Sequence, residues 1–160
     1  MVLVFLDQSE GHIKKSSLEA ANYAAKVAEQ LGVAAEGIVL GNVTDDLASL
    51  GKYGLQKVHT VKNDSLDHLD AQVFTNVLAQ AVTATAATVV VFSNNLNGKS
   101  VAPRLSAKLK AGLVSGAIAL PDTSNGFTVK KNVFSGKAFA NIAVNTPIKI
   151  ISLSPNAFNI

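Results

Sequence analysis

The chain has no cysteine and no tryptophan. Without cysteine there is neither a disulfide framework nor a thiolate metal site. The three histidines, His12, His59 and His68, are not spaced at i, i+4, so no metal-ligand pair is expected among them. Charged residues make up 16% and aromatic residues 6%. No long apolar run exists: Met1 leads into Val2 to Leu6 with no basic n-region and no small-residue cleavage motif. Such a stretch is too short for a signal segment or a bilayer span, which makes the cytoplasm the default location and excludes direct membrane insertion. No Pro/Gly/Ser-rich linker, internal repeat or low-complexity tract interrupts residues 1–160, which read as a single α/β domain. HExxH, a Ser/His/Asp arrangement and paired acids for proton transfer are also missing, and no catalytic residue is assigned.

What is present is a 160-residue chain with 48% hydrophobic residues, many of them Ala and Val. That length and apolar content support one good core and exclude disorder. Small apolar side chains suit helices lying close against a sheet covered on both faces. The net charge is +3, but the lysines are scattered and not interleaved with aromatics, so nucleic-acid binding is not expected.

Strand and helix signals alternate through the first two-thirds. Val2 to Leu6 is a doubly buried strand. Ser16 and Glu19 form a candidate capping box for a helix whose stripe is Leu18, Ala21, Ala24, Ala25, Val27, Ala28 and Leu31, stopped by Gly32. Ala35 to Leu40 is a strand. Thr44-Asp45-Asp46 opens a short helix through Leu50, and Lys57 to Val61 is a third strand. Asp70 to Ala84 is helical, Thr88 to Phe92 is the fourth strand, and Val101 to Ala111 is a helix with Pro103 in its first turn. Gly116 to Leu120, Phe127 to Phe134, Lys137 to Val144 and Ile148 to Leu153 then read as strands with no helix between them. Ser135-Gly136 is a two-residue turn signal for an antiparallel hairpin. Alternation implies right-handed crossovers and a mostly parallel sheet, which the last strands extend, partly antiparallel. Apolar residues of both parities on the hairpin (Val129, Val133 and Phe134; Phe139, Ile142 and Val144) predict that both of its faces are covered, in part by a partner or domain outside these residues.

Ligands of open α/β sheets bind beyond the carboxyl ends of the strands. Asp7-Gln8-Ser9-Glu10-Gly11-His12 has one glycine where a dinucleotide fingerprint needs three. Asp7 and Glu10 there read as a strand end followed by a solvated loop. Ser93 to Ser100 imitates a phosphate loop, GxxxxGK[ST], with Ser93 in place of the first glycine. Gly98, Lys99 and Ser100 are therefore the weak candidates for nucleotide contact, against a reading in which the asparagines cap the helix and Lys99 is solvated. Lys99, Arg104, Lys108 and Lys110 gather on one helix as a solvated basic face or a docking patch.

Several segments resemble one family. Leu50 to Val58 is similar to the stretch before the third strand in electron-transfer flavoprotein subunits. Asn97 to Leu109 resembles that family's G-[KR]-x-[LV]-A-P-R-x-[AS]-A-x-L helix. Lys131 to Ala138 resembles the hairpin of the α subunit, and Ile151 to Phe158 the strand closing its first domain. The chain departs from the pattern at Gly116, where an acid is common, and at Ser154, where Arg is frequent.

The resemblance implies a three-layer Rossmann-like fold of the adenine nucleotide α-hydrolase-like type, with a C-terminal antiparallel hairpin. It implies an α subunit that pairs with a β subunit and passes electrons from flavin dehydrogenases to a membrane-linked oxidoreductase. The family's FAD is held mainly by a C-terminal domain of the α subunit, whose motifs are not in these residues, and its AMP belongs to the β subunit. The expectation is a first domain without that flavin domain, binding no FAD itself and acting as a scaffold. Two rival readings are a nucleotide-binding module of the universal-stress-protein type, and a small α/β enzyme such as an amidohydrolase or pyrophosphatase. The first would want a glycine-rich loop after the fourth strand and the second a nucleophile or acid–base pair.

Overall fold

The computed structural model describes residues 1–159. Its strands are β1 Val2–Phe5, β2 Gln8–Ser9, β3 His12–Ile13, β4 Ala35–Leu40, β5 Lys57–Val61, β6 Val89–Ser93, β7 Gly112–Ala117, β8 Thr128–Val133, β9 Ala138–Ala143 and β10 Lys149–Leu153. The helices are α1 Lys15–Leu31, α2 Ala71–Thr85 and α3 Leu96–Leu109, with short 3-10 turns at Leu47–Tyr53 and Asp64–Leu66. Eight strands form one sheet in the order β5-β4-β1-β6-β10-β7-β8-β9, and β2-β3 is a separate small ribbon. The pairs from β5 to β7 are parallel, and those from β7 to β9 are antiparallel. Among the described residues no helix is long and apolar enough to cross a membrane.

Each central strand sends alternate side chains to opposite faces, and both faces are packed. Val2, Val4, Val89, Val91 and Ile151 join α1's Ala20, Ala21, Tyr23, Ala24 and Val27 on one side. Leu3, Phe5, Val90, Phe92 and Ile150 meet Phe74, Leu78 and Val82 of α2 and Val101 and Leu105 of α3 on the other. The α1 stripe is rich in alanine because this helix lies close to the sheet. Leu31, expected to face inward, is at the exposed end of α1.

Several boundaries differ from the sequence reading. Lys14 is the N-cap of α1 and makes no side-chain cap bond, so Ser16 and Glu19 form no capping box. Both inward-facing groups near this end are taken elsewhere: Ser17 Oγ accepts from the Asp7 N–H, and Glu19 Oε2 accepts from the Asn156 N–H. The segment expected to open a helix at Thr44 instead forms a 3-10 turn, capped by Asp46 through the Ala48 N–H. Helix α3 begins at Leu96, not Val101, so Pro103 lies inside the helix, beyond its first turn. Its missing N–H leaves the Lys99 carbonyl without a helical partner on an exposed side.

The strand expected at Gly116 to Leu120 runs earlier, over Gly112–Ala117. Ser152 pairs with Ser115 and Leu153 with Ala117, which makes Gly116 (φ 88°) the extra residue of a bulge. The final strand β10 does not extend the sheet; it inserts between β6 and β7, parallel to both. In the hairpin, Val133 pairs with Ala138, leaving a four-residue connection in place of a two-residue turn. Phe134 and Ser135 take positive φ there, and the Gly136 N–H closes onto the Val133 carbonyl at 3.1 Å.

Candidate functional site

Strands β1 and β6 are neighbours, yet the helix after β1 covers one face and the helix after β6 the other. A crevice is expected where the connections part, beyond the carboxyl ends of these strands. The chain fills it with its own side chains. Asp7, at the end of β1, is 5% exposed, which corrects the reading of a solvated acid. Its Oδ2 lies 2.8 Å from Lys14 Nζ, Asn97 Nδ2 donates to both carboxylate oxygens at 3.1 Å, and Asn95 Nδ2 donates to Oδ2 at 3.3 Å. The Asp7 N–H is bound to Ser17 Oγ, and its carbonyl accepts from the Lys14 N–H. About 20 Å³ of space is left beside this cluster, next to Phe5, Leu40 and Phe74, room for one water. Glu10, at the turn of the β2-β3 ribbon, is exposed.

Gly98, Lys99 and Ser100 lie in the first turns of α3 and do not converge on an open cleft. The Gly98 N–H is capped by Asn95 Oδ1 at 2.9 Å, and a Cβ at Gly98 would lie 1.9 Å from the Ser93 carbonyl oxygen. This glycine is required by the close approach of α3 to the end of β6. The Lys99 side chain is exposed, and Ser100 Oγ donates back to the Leu96 carbonyl. Arg104 and Lys108 are exposed on α3, and Lys110 caps the helix with a left-handed backbone.

The neighbouring carboxyl-end loops are tied by acids. Asp45 receives a bond from His12, 2.9 Å away, and from the Ile13 N–H, and these hold its carboxyl below the ordinary carboxylate range. Asp67 is held down likewise by the backbone N–H and side chain of Asn42. Among the described residues no group of His, Cys, Asp or Glu is arranged to hold a metal. On the α1 side, the buried Tyr23 donates to the Ala119 carbonyl at 2.8 Å and packs edge-on against Phe158. Burial pushes its phenol above its usual range. Sequence reasoning missed the roles of Lys14 and Tyr23 and, beyond its cap bond, the reach of Asn95 to Asp7. Their partners are 7, 96 and 88 positions away, at separations no local pattern registers.

The second feature is the hairpin. β9 is an edge strand, and its side chains alternate between half-buried and exposed. Phe127, Val129 and Val144 pack with the α1-side core, and Ile142 leans on it. The opposite face, bearing Lys130, Asn141 and Phe139, is exposed at these positions among the described residues. Phe139 is 59% exposed under the Lys130 ammonium, and Phe134 at the tip is 79% exposed. Asp122 is the last acid in the sequence, so the hairpin's Lys130, Lys131 and Lys137 have no acidic neighbour along the chain.

With this geometry in place, comparison with known proteins gives the family. The electron transfer flavoprotein domain model matches residues 2–160. The chain belongs to the electron transfer flavoprotein domain family. It is 27% identical over 160 residues to the electron transfer flavoprotein subunit alpha of Bacillus subtilis, covering 97% of this chain and 47% of that one. It is 28% identical to the subunit of the same name from Syntrophomonas wolfei, over 88% of this chain and 44% of that one. Protein FixB of Clostridium saccharobutylicum is 27% identical over 89% of this chain and 43% of its own length. The chain thus spans less than half the length of these curated relatives, and the Rossmann-like α/β layout agrees with the family.

Proposed function

We propose that these residues form one unit, the first domain of an electron-transfer flavoprotein α subunit, and that this unit is a partner-binding scaffold without catalysis of its own. In this reading the complete αβ heterodimer works in the cytoplasm, carrying electrons from flavin dehydrogenases to a membrane-linked oxidoreductase. Flavin belongs to a part of the subunit outside these residues. The residues at the strand ends do not fit it: the crevice is closed by Asp7, Asn95 and Asn97, with about 20 Å³ remaining.

The observation that carries the scaffold role is the hairpin, whose edge strand β9 leaves Phe139 uncovered and whose β8 and connection bear Lys130, Lys131, Lys137 and the uncovered Phe134. An edge strand with unpaired backbone groups and exposed aromatics is a ready surface for another chain. The β subunit is the partner that this reading supplies.

The test is sedimentation of the purified chain with and without co-expressed β subunit. Expected outcomes are a colourless chain that self-associates alone and is captured by β with a Kd of micromolar or tighter, about −8 kcal/mol or better. Phe139→Glu weakens that capture. A yellow preparation with stoichiometric flavin, or a clean monomer that ignores β, overturns the scaffold reading. The same reading holds AMP and ATP to millimolar affinity or weaker, about −4 kcal/mol, by calorimetry. Micromolar binding lost in Lys99→Ala would instead favour a nucleotide-binding module.

A further inference from the structure

The cluster around Asp7 is built like an oxyanion receptor. Lys14 at the start of α1, Asn95 at the cap of α3 and Asn97 in its first turn bring one ammonium and two amides onto a single carboxylate, at 2.8 to 3.3 Å. A cation with convergent N–H donors beside a helix N-terminus is the donor set that holds phosphates and carboxylates. Here the occupant is covalently attached. We infer that Lys14, Asn95 and Asn97 form a small-oxyanion site whose ligand is the chain's own Asp7 carboxylate, and that this internal ligand closes the crevice to external anions.

Three features support an internal ligand over an ordinary surface ion pair. Asp7 is 5% exposed, and its backbone is pinned on both sides, by Ser17 Oγ and by the Lys14 N–H. A tethered carboxylate held in place in this way outcompetes a free one through its high effective concentration. One donor, Asn95, is also positioned by contacts that do not involve Asp7. Asn95 Oδ1 is fixed by the Gly98 N–H, and Asn95 Nδ2 also donates to Ser16 Oγ at 3.2 Å. Removing the carboxylate therefore leaves Asn95 still aimed at a cavity of carboxylate size, with Lys14 and Asn97 beside it. Partly buried donors left unpaired favour any small anion that refills the gap.

Asp7→Ala makes this cavity while keeping the β-carbon, and formate has the shape of the missing group. Thermal melts of wild type, Asp7→Ala and Asp7→Asn are compared in formate and in chloride at equal ionic strength, with inorganic phosphate as a second probe. Asp7→Ala is expected to melt about 10 °C below wild type. Formate at ten or more times its Kd should raise that midpoint by about 3–6 °C over chloride. Wild type and Asp7→Asn should show no difference between the salts, and adding Asn97→Leu to Asp7→Ala should abolish the response. An Asp7→Ala protein that melts alike in formate, phosphate and chloride overturns the inference. So does a wild type that responds to phosphate as strongly as the variant. If Asp7→Ala does not fold unaided, the folded yield on dilution from urea into formate or chloride decides it: a higher yield in formate supports the receptor and equal yields overturn it. These outcomes do not involve the β subunit, so they stand apart from the scaffold reading.

Discussion

The two ends of the sheet are built under different rules. From β5 to β7 the strands are parallel, and in the middle, at β1, β6 and β10, residues pointing to either face are nearly fully buried. From β8 to β9 the strands are antiparallel, and the α1-side residues are the better covered, while Lys130, Asn132, Phe139 and Asn141 on the other face are exposed. Apolar residues of both parities occur in both regions, yet they have different fates. Val90 and Val91 are both buried because α2 and α3 lie on one face and α1 on the other. Ile142 is half-buried while Phe139 is open, because no helix among the described residues lies over the second face of the hairpin. A two-sided apolar strand thus signals burial only where both covering layers exist.

That contrast is easiest to break with paired truncations. Phe92 is 0% exposed and packs on Phe5 with ring centroids 5.5 Å apart. Phe92→Ala should cost about 3–5 kcal/mol in urea unfolding. A cost similar to that of Phe139→Ala would erase the distinction between the two regions. Gly98→Ala comes next: its Cβ would meet the Ser93 carbonyl oxygen at 1.9 Å, so α3 must shift, at about 1–3 kcal/mol. An unchanged midpoint would mean that the α3 start is looser than drawn here. Tyr23→Phe, which removes the bond to the Ala119 carbonyl where the chain leaves β7 for the hairpin, should cost about 1 kcal/mol.

The exposed carboxyl-end loops should respond to acid in a defined direction. The Asp45 carboxyl is depressed in the folded state, chiefly by His12 and then by the Ile13 N–H. A depressed folded pKa means stabilisation that is present above the ordinary carboxylate value of about 4 and lost as pH falls through the lower folded value. Asp45→Asn should therefore melt below wild type at pH 6 and converge with it in strong acid; a gap that persists at low pH would contradict the ion-pair account. The smallest effect is expected at the hairpin: Phe139→Ala should change stability by no more than about 0.5 kcal/mol, checked in the same urea series.

Much of the parallel body was legible in the sequence. The runs Val2 to Leu6, Ala35 to Leu40 and Thr88 to Phe92 are strands to within one or two residues, and Gly32 stops α1 in a left-handed conformation as expected. Local chemistry suffices there, since a short β-branched run and a C-terminal glycine carry their preferences with them. Boundaries failed where a distant partner competed for a capping group. Ser16 Oγ accepts from the Asn95 side chain and Glu19 from the Asn156 backbone, whereas the reading in which the asparagines cap α3 holds at Asn95. The weak phosphate-loop likeness at Gly98, Lys99 and Ser100 was visible as a string. The glycine pressed against the Ser93 carbonyl was not, although the solvated Lys99 was one of the two readings.

The sequence by itself determined the types and order of the main sheet strands and of α1, α2 and α3, the two-sided apolar character of the central strands and the likeness to the electron-transfer flavoprotein α subunit, but not the β2-β3 ribbon or the 3-10 turns. Those properties depend on composition and on spacings of a few residues, which chain order preserves. Tertiary structure alone decided that β10 inserts between β6 and β7, that Gly116 is a bulge, and that one face of the hairpin stays bare. It also decided that the crevice at the end of β1 is closed, because Asp7 meets Asn95 and Asn97 from 88 and 90 residues away. Pairings across such distances are chosen by which buried polar groups can be satisfied together once the sheet has formed, and no local preference encodes that choice.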